Sequence, residues 1–519
     1  MLNTTTSALI LVMLTIGFSK QELPIGFTEE EWQNRHLIQS MGNRTDPPPT
    51  PIRNIAEFER MEGVLIRYPF GISTSIISEM AEDVIVYCLV SNGQQNSAYN
   101  SMNNSGVNMA NVEFVLGNTD SYWTRDYGPW WVVDGDRNVS VVDHTYNRPR
   151  PNDNQAPSKM ADHLNTPYFD SDIVTAGGNY MTDGLGIGAS SDLIYDENDL
   201  TVNQVHNLMA EYYGIYTYHG IPDPNNTYID HIDCWGKYLS MEKVLIRSVP
   251  SSHAQYDEIE ETAEYFANSL TAYGDPWQVF RVYTPSNQPY TNSLILNNKV
   301  IVPIMNNSWD DEALDVYTEA MPGYEVLGFT GSWESTDALH CRAKGIPDLE
   351  MLQIFHHPLN DVNLPISDYQ VNAVIDDLSD EGLIEDQLKV YWKNEAMAEF
   401  EAINLVSGTN EDEYTAFIPI QPVDTEIQYY IHAEDYSGRS ENLPFAGYFS
   451  FFAVGGTPQQ DGDANMDGLV NIVDVILVVN HVLNINPLEG TAFLLSDMNN
   501  DGILNILDII GIVNVILDN

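Results

Sequence analysis

Basic residues are scarce: the 519-residue chain carries 21 Lys and Arg against 75 Asp and Glu, a formal charge of −54 at pH 7. A field of that sign repels phosphate polymers and anionic membranes, which excludes nucleic-acid and membrane-surface binding as primary functions. Cysteine is rarer still. Cys88, Cys234 and Cys341 are too few for a disulfide framework, and the odd count leaves at least one thiol unpaired. Membrane-length apolar runs are lacking too: Ala8 to Phe18 covers only 11 residues, too short to span a bilayer. Met1 to Ser7 holds no Lys or Arg, yet the run and its Gly17-Phe18-Ser19 ending fit a cleaved signal peptide over residues 1–19. A buried N-terminal element is the alternative. The signal-like reading implies a secreted or cell-surface protein.

What is present argues for packed cores. Apolar residues make up 43% of the chain and aromatics 11%, enough for three or four domains of ordinary size. From Gly63 to about Gly345, short β-rich runs alternate with helical ones, as in Gly63 to Pro69, Val84 to Val90, Val112 to Leu116 and Val139 to Asp143. Leu294 to Leu296 and Val300 to Val302 flank Asn297-Asn298-Lys299, a tight-turn signal, and a second hairpin is expected from Tyr238 to Val244-Leu245-Ile246. Tyr256, Ile259, Ala263, Phe266 and Leu270 fall on one face of a helix predicted over 256–270. This is an α/β domain, placed at 45–348. Residues 349–455 instead read as five or six short strands, an immunoglobulin-like β-sandwich without the Cys-Trp-Cys signature.

A linker at 456–460 leads to a tail, 461–519, with no Lys or Arg. Within it a 12-residue pattern occurs twice, 34 residues apart. Calcium takes six to eight oxygens, and such a loop offers them from positions 1, 3, 5, 7 through backbone, 9 and 12, with Gly at 6. Asp463, Asn465, Asp467, Leu469, Asn471 and Asp474 fill the first set; Asp497, Asn499, Asp501, Ile503, Asn505 and Asp508 fill the second. Position 12 is Asp rather than Glu, with a helix after each loop and no obvious one before it. The pattern resembles the dockerin family, which implies two Ca²⁺ ions and a cohesin-like partner module. The helices Val473 to Leu483 and Leu507 to Leu517 are apolar nearly all round, which suits mutual burial and an external interface equally.

Four segments carry the chemistry of the large domain: Trp123-Thr124-Arg125-Asp126, His231-Ile232-Asp233-Cys234-Trp235, Thr291-Asn292-Ser293 and Ala338-Leu339-His340-Cys341-Arg342. A guanidinium is planar and cationic, so two carboxylates on different edges can orient it through charge-assisted bonds, and a positioned thiolate can attack its central carbon. Together with Gly177-Gly178-Asn179-Tyr180, these segments resemble the bacterial, Porphyromonas-type peptidylarginine deiminases and the related agmatine deiminases of the guanidino-modifying (pentein) superfamily. That resemblance implies a five-bladed α/β-propeller with Cys341 as nucleophile, His231 as general acid and base, Asp126 and Asp233 as guanidinium carboxylates and Asn292 as a polar anchor. No cofactor is expected for the deiminase chemistry.

Several residues keep two readings. Asn292 could instead frame its hairpin. Trp123 could stack on the guanidinium face or serve as a core aromatic. Arg148 and Arg150, in the Pro-stiffened Asn147-Arg148-Pro149-Arg150-Pro151-Asn152, could clamp the carboxylate of a C-terminal arginine, as the resemblance implies, or form a solvated loop. His340 reads as structural and Cys88 as core. The leading expectation is a secreted deiminase acting on arginine in peptides, with agmatine or free-arginine deiminase as the alternative. A catalytically idle, calcium-dependent binding protein is a third, weakened because Asp126, His231, Asp233 and Cys341 are all present.

Overall fold

The computed structural model describes residues 22–226, 229, 231–363, 365, 367–408, 410, 412–454, 462–466, 469–488, 490–499 and 502–518. The signal-like segment at 1–19, the linker at 456–460 and the loop residues Asp467 and Asp501 lie outside the described residues. Two compact units divide at Glu350 and Met351.

Among the described residues of the first unit, one arrangement occurs five times. A strand pairs antiparallel with the next, a helix follows, and a third strand returns parallel to the second. Trp130–Val133, Val139–Tyr146 and Tyr168–Thr175 form one such set around the helix Ala156–Leu164. Met181–Thr182, Ile187–Ser191 and Thr217–Ile221 form another around Val202–Tyr213. Gly236–Tyr238, Lys243–Ser248 and Gln278–Tyr283 follow, then Leu294–Leu296, Lys299–Ile304 and Glu325–Thr330. The fifth sheet joins distant parts of the chain: Lys344–Pro347 pairs antiparallel with Met61–Arg67, which runs parallel to Ile85–Val90 and through it to Val112–Leu116. A parallel pair needs a crossover, which is why a helix separates the last two strands of every set.

Local chemistry accounts for the elements. Asn297 sits at φ 55° in the Leu294–Leu296 to Lys299–Ile304 hairpin, the left-handed conformation that tight hairpin turns require. The helix Tyr256–Ala267 buries Ile259, Thr262, Ala263 and Phe266 and turns its acids outward. It ends three residues earlier than the spacing predicts, because Asn268 caps it and Leu270 instead bridges to Pro276. Trp235, Leu245, Phe266, Trp277, Ile295 and Val300 belong to one buried cluster, in which the rings of Tyr238 and Trp277 stack 4.5 Å apart.

In the second unit, Leu352–Phe355, Tyr369–Asp377, Glu413–Ile418 and Val406–Ser407 form one sheet. The other contains Val362–Asn363, Phe449–Val454, Thr425–Glu434, Lys389–Asn394 and Glu401–Asn404, with Ser440–Leu443 on Thr425–Glu434. Tyr369, Val371, Ala373 and Ile375 alternate inward and share a core with Val390, Trp392, Tyr429 and Phe451. In the tail, Ile472–Val482 and Ile506–Asp518 pack through Val475, Val478 and Ile512. A further helix, Gly490–Ser496, precedes the second loop, contrary to the expectation of none. Among the described residues no helix is long and apolar enough to cross a membrane.

Candidate active site and calcium loops

The loop just before the first strand of each of the five sets carries a site residue. Asp126 precedes Trp130–Val133, Gly178 precedes Met181–Thr182, Asp233 precedes Gly236–Tyr238, Asn292 precedes Leu294–Leu296 and Cys341 precedes Lys344–Pro347. These loops converge. A Cβ built on Gly178 would stand 2.7 Å from Asp126 Oδ1, 2.9 Å from His231 Nδ1 and 3.1 Å from Asp233 Oδ2, so only glycine lets the backbone pass beneath the three side chains. Asn179 Oδ1 accepts from the backbone N–H groups of Ser191 and Ile232, which orients the His231 to Asp233 turn.

Cys341 lies 3.4 Å through Sγ from Asp233 Oδ2, and Asn292 Nδ2 donates to the sulfur at 3.2 Å. Asn292 Oδ1 accepts from the N–H groups of Ala338 and Cys341, so one amide both touches the thiol and fixes the turn that carries it. His231 Nδ1 stands 3.6 Å from Asp126 Oδ1. Both oxygens of Asp126 and both nitrogens of His231 are buried without a hydrogen-bond partner, the signature of groups shaped for a polar ligand. Burial holds His231 down to about 4, so its imidazole is a neutral base at pH 7. Burial, then Asp233 and Asp337, push Asp126 well above the usual carboxylate range. Asp233 differs: burial pushes it up, but the hydrogen bond and charge of His340 prevail and hold it low. Burial and the same two aspartates raise the Cys341 thiol well above its ordinary value.

Two carboxyls gave no signal in the sequence, Asp337 and Glu57. Asp337 is a third buried carboxyl beside the thiol, pushed up to about 8 by burial. Glu57 and Arg125 belong to an ion-pair network behind Asp233, and Glu57 comes from the other end of the domain, 283 residues from His340. Chain pattern cannot reveal such a contact. Trp123 is fully buried, donates through Nε1 to Leu23 O and has Arg342 over its ring at 5.1 Å. Arg148 and Arg150 are buried under residues 24–31, not solvated: Arg148 Nε donates to Ile25 O, and Arg150 pairs with Glu31. Cys88 and Cys234 are buried thiols.

The tail fits a cation. Asp463, Asp474, Asp497 and Asp508 are buried in a stretch without Lys or Arg, and Asp508 Oδ1 has no hydrogen-bond partner. Backbone N–H groups orient these carboxylates: Asp474 accepts from Asn465 and Asn471, Asp508 from Asn505, and Asp497 from Gly502. Asn471 and Asn505 turn their amide oxygens to the helix N-termini at Val473 and Leu507. Leu469 and Ile503 point their side chains outward, leaving the backbone carbonyl as their contribution.

A family model for Porphyromonas-type peptidyl-arginine deiminase matches residues 56–347, more than half of the chain, and one for the dockerin type I domain matches 461–517. An agmatine deiminase of Medicago truncatula is 23% identical over 289 residues, covering 44% of this chain and 77% of that protein. Among solved structures, the agmatine deiminase of Enterococcus faecalis superposes with a TM-score of 0.50 at 16% identity, covering 60% of this chain and 97% of that one. A C. jejuni agmatine deiminase with substrate bound gives 0.50 at 17%, covering 57% and 96%.

Proposed function

The chain belongs to the Porphyromonas-type peptidyl-arginine deiminase family, and from that premise we propose that it hydrolyses the guanidinium of C-terminal arginine in peptides to citrulline and ammonia. The observation that carries the reading is the convergence on Gly178 of Asp126, His231 and Asp233, with the Cys341 thiol against Asp233. Asp126 and Asp233 grip the guanidinium from two sides. Cys341 gives its proton to neutral His231 and attacks the central carbon. His231 returns the proton to the departing amine, releasing ammonia and leaving a covalent thiouronium. Water then attacks the same carbon with His231 as base, the C–S bond breaks, and a ureido product and free thiol result. Arg148 and Arg150 hold the substrate carboxylate.

Incubation of the protein and its Cys341→Ala variant with a peptide ending in Arg, one with internal Arg, free arginine and agmatine tests this directly. Ureido product from the first peptide alone, and none from the variant, is expected; equal product from the variant defeats the mechanism. Agmatine deimination is the second reading, favoured by the agmatine deiminases among the similar proteins and by the segment that already engages Arg148 and Arg150. An Arg148→Ala, Arg150→Ala double variant separates the two: lost preference for the peptide supports the clamp, and unchanged selectivity removes it.

The rest of the chain suits an extracytoplasmic enzyme. The five strand sets are read as blades of a five-bladed propeller in a catalytic domain at 45–348, followed by an immunoglobulin-like sandwich at 349–455, a linker at 456–460 and a dockerin-like domain at 461–519. Two Ca²⁺ ions would be held by the carboxylates of Asp463, Asp467, Asp474, Asp497, Asp501 and Asp508, the amide oxygens of Asn465 and Asn499, and the carbonyls of Leu469 and Ile503, with Asn471 and Asn505 at the ninth position of each loop. Ile472, Ile476, Ile506 and Ile510 are exposed on the tail helices and offer a cohesin-like module an apolar face.

A further inference from the structure

Behind Asp233 lies a buried chain of charge that takes no part in the proton transfers between Cys341 and His231. His340 Nδ1 is 2.7 Å from Asp233 Oδ2, and His340 Nε2 is 2.6 Å from Glu57 Oε2. Glu57 is held in turn by Arg125 Nη2 at 2.9 Å, Lys237 Nζ at 2.8 Å and the backbone N–H of Ile295 at 3.0 Å. An ionised carboxylate only accepts hydrogen bonds, and a neutral imidazole has only one N–H to donate. Two contacts this short on opposite ring nitrogens therefore need a second proton. Glu57 is not its carrier: although burial pushes its carboxyl up, the charges of His340, Lys237 and Arg125 hold it well below the usual range. Asp233 is also held low. Burial and the Arg125 charge pull the imidazole itself down. The geometry nonetheless asks for the second proton on the ring, because carboxylate oxygens at 2.7 and 2.6 Å on its two nitrogens each need an N–H to accept.

We propose that His340 is a positioning residue, an imidazolium fixed between Glu57 and Asp233 that holds the Asp233 carboxylate against the Cys341 sulfur. Its backbone serves the same end: His340 N donates to Asn292 O, and Arg125 Nε donates to His340 O. The inference rests on Asp233 being the guanidinium carboxylate, so one arm of its test needs no turnover. In ¹⁵N-histidine-labelled full-length protein, the resonances that disappear in His340→Gln should show both ring nitrogens protonated at neutral pH; a neutral ring overturns the proposal. His340→Gln keeps a donor toward Asp233 without the charge, and kcat should fall about a hundredfold with the unfolding temperature measured alongside. Glu57→Gln should return one His340 nitrogen to the unprotonated state. If His340→Gln fails to fold, the spectrum of the Glu57→Gln protein against the parent still decides.

A different observation concerns the segment before the catalytic domain. Arg150 Nη2 donates to Pro24 O at 2.7 Å and Gly26 O at 3.0 Å, and its Nε meets Glu31 Oε1 at 2.7 Å. Arg148 Nε donates to Ile25 O at 2.9 Å, with its guanidinium 4.4 Å from the centre of the Phe27 ring. Trp123 Nε1 donates to Leu23 O at 3.0 Å, Arg67 pairs with Glu22, and Ile25 is fully buried. These are the guanidinium edges that a substrate carboxylate would need, and the segment lies upstream of the family match at 56–347. We infer that residues 22–27, secured by Glu31, form an inhibitory strap that competes with the peptide carboxylate for Arg148 and Arg150; this rests on the clamp reading above.

Glu31→Gln tests it, since glutamine keeps the capping box with Thr28 but loses the charge that holds Arg150. KM for a peptide ending in Arg should fall about tenfold while agmatine kinetics stay unchanged. An unchanged or higher KM overturns the strap. If the Arg148→Ala, Arg150→Ala protein has already lost peptide preference, that result counts against the strap alone; if it has not, the clamp itself has failed.

Discussion

The Cys341 sulfur lies 3.4 Å from Asp233 Oδ2, so the proposed nucleophile shares its surroundings with a carboxylate held ionised. That neighbour, with burial and Asp337, keeps the thiol protonated in the free enzyme. A guanidinium gripped by Asp126 and Asp233 offsets the negative charge nearest the sulfur. Thiolate absorbance in the ultraviolet should therefore appear when a non-hydrolysable guanidine is added, and not in Cys341→Ala. Full thiolate in the free protein at pH 7 would contradict this.

His231 titrates at about 4 in the folded chain, below its unfolded value near 6.5. As pH falls through that window the unfolded state takes up the proton first, so stability is complete above about 6.5 and declines toward 4. His231→Gln should lose less stability than the parent between pH 7 and pH 4 in urea unfolding. Its kcat should fall by roughly a hundred- to ten-thousandfold, the range for a lost general acid–base group.

Gly178→Ala puts a methyl within 3.1 Å of Asp126, His231 and Asp233. Moving any of them by a few tenths of an ångström spoils the grip on the guanidinium. Activity should drop on the order of a hundredfold while circular dichroism stays that of the parent.

Asp337 is raised from 3.8 to about 8, so its sign is opposite to that of His231. Between those values the unfolded state ionises while the folded state keeps its proton, and stability falls as pH rises. Asp337→Asn removes the titration. Relative to the parent, the variant should gain stability steadily from pH 4 to pH 8 in calorimetry.

Calcium should stabilise the tail. The buried Asp474 and Asp508 have no Lys or Arg within the tail to offset their charge, so a chelator should melt helical signal and Ca²⁺ should restore it. Asp474→Ala should abolish restoration at the first loop and leave the second responsive, as read by calorimetric titration.

Much of the fold was legible where a local pattern exists. Val112–Leu116 and the Asn297 hairpin stand at their predicted places because strand runs and turn residues act over a few positions. The fivefold recurrence of paired strands, helix and parallel strand left no trace in the residues, since the sets share topology and not side chains. Glu401–Asn404 gives no strand signal because its alternation is weak and its residues are mostly exposed. Asp126, His231, Asp233, Asn292 and Cys341 could be named from their motifs, and the structure brings them together. Glu57 and Asp337 could not, because a buried carboxyl is defined by what packs around it, and those partners come from remote loops.

The pairing of Lys344–Pro347 with Met61–Arg67 has a consequence for how the enzyme comes into being. The strand that completes the fifth sheet begins just past Cys341, and its Lys344 pairs with Leu65 at the far end of the domain's sequence. A contact of such sequence separation is slow to form. Until that strand docks, the thiol lies apart from Asp233 and Asn292, so a half-folded chain carries an ordinary cysteine, and completing the sheet is what buries the thiol and raises it above that ordinary value.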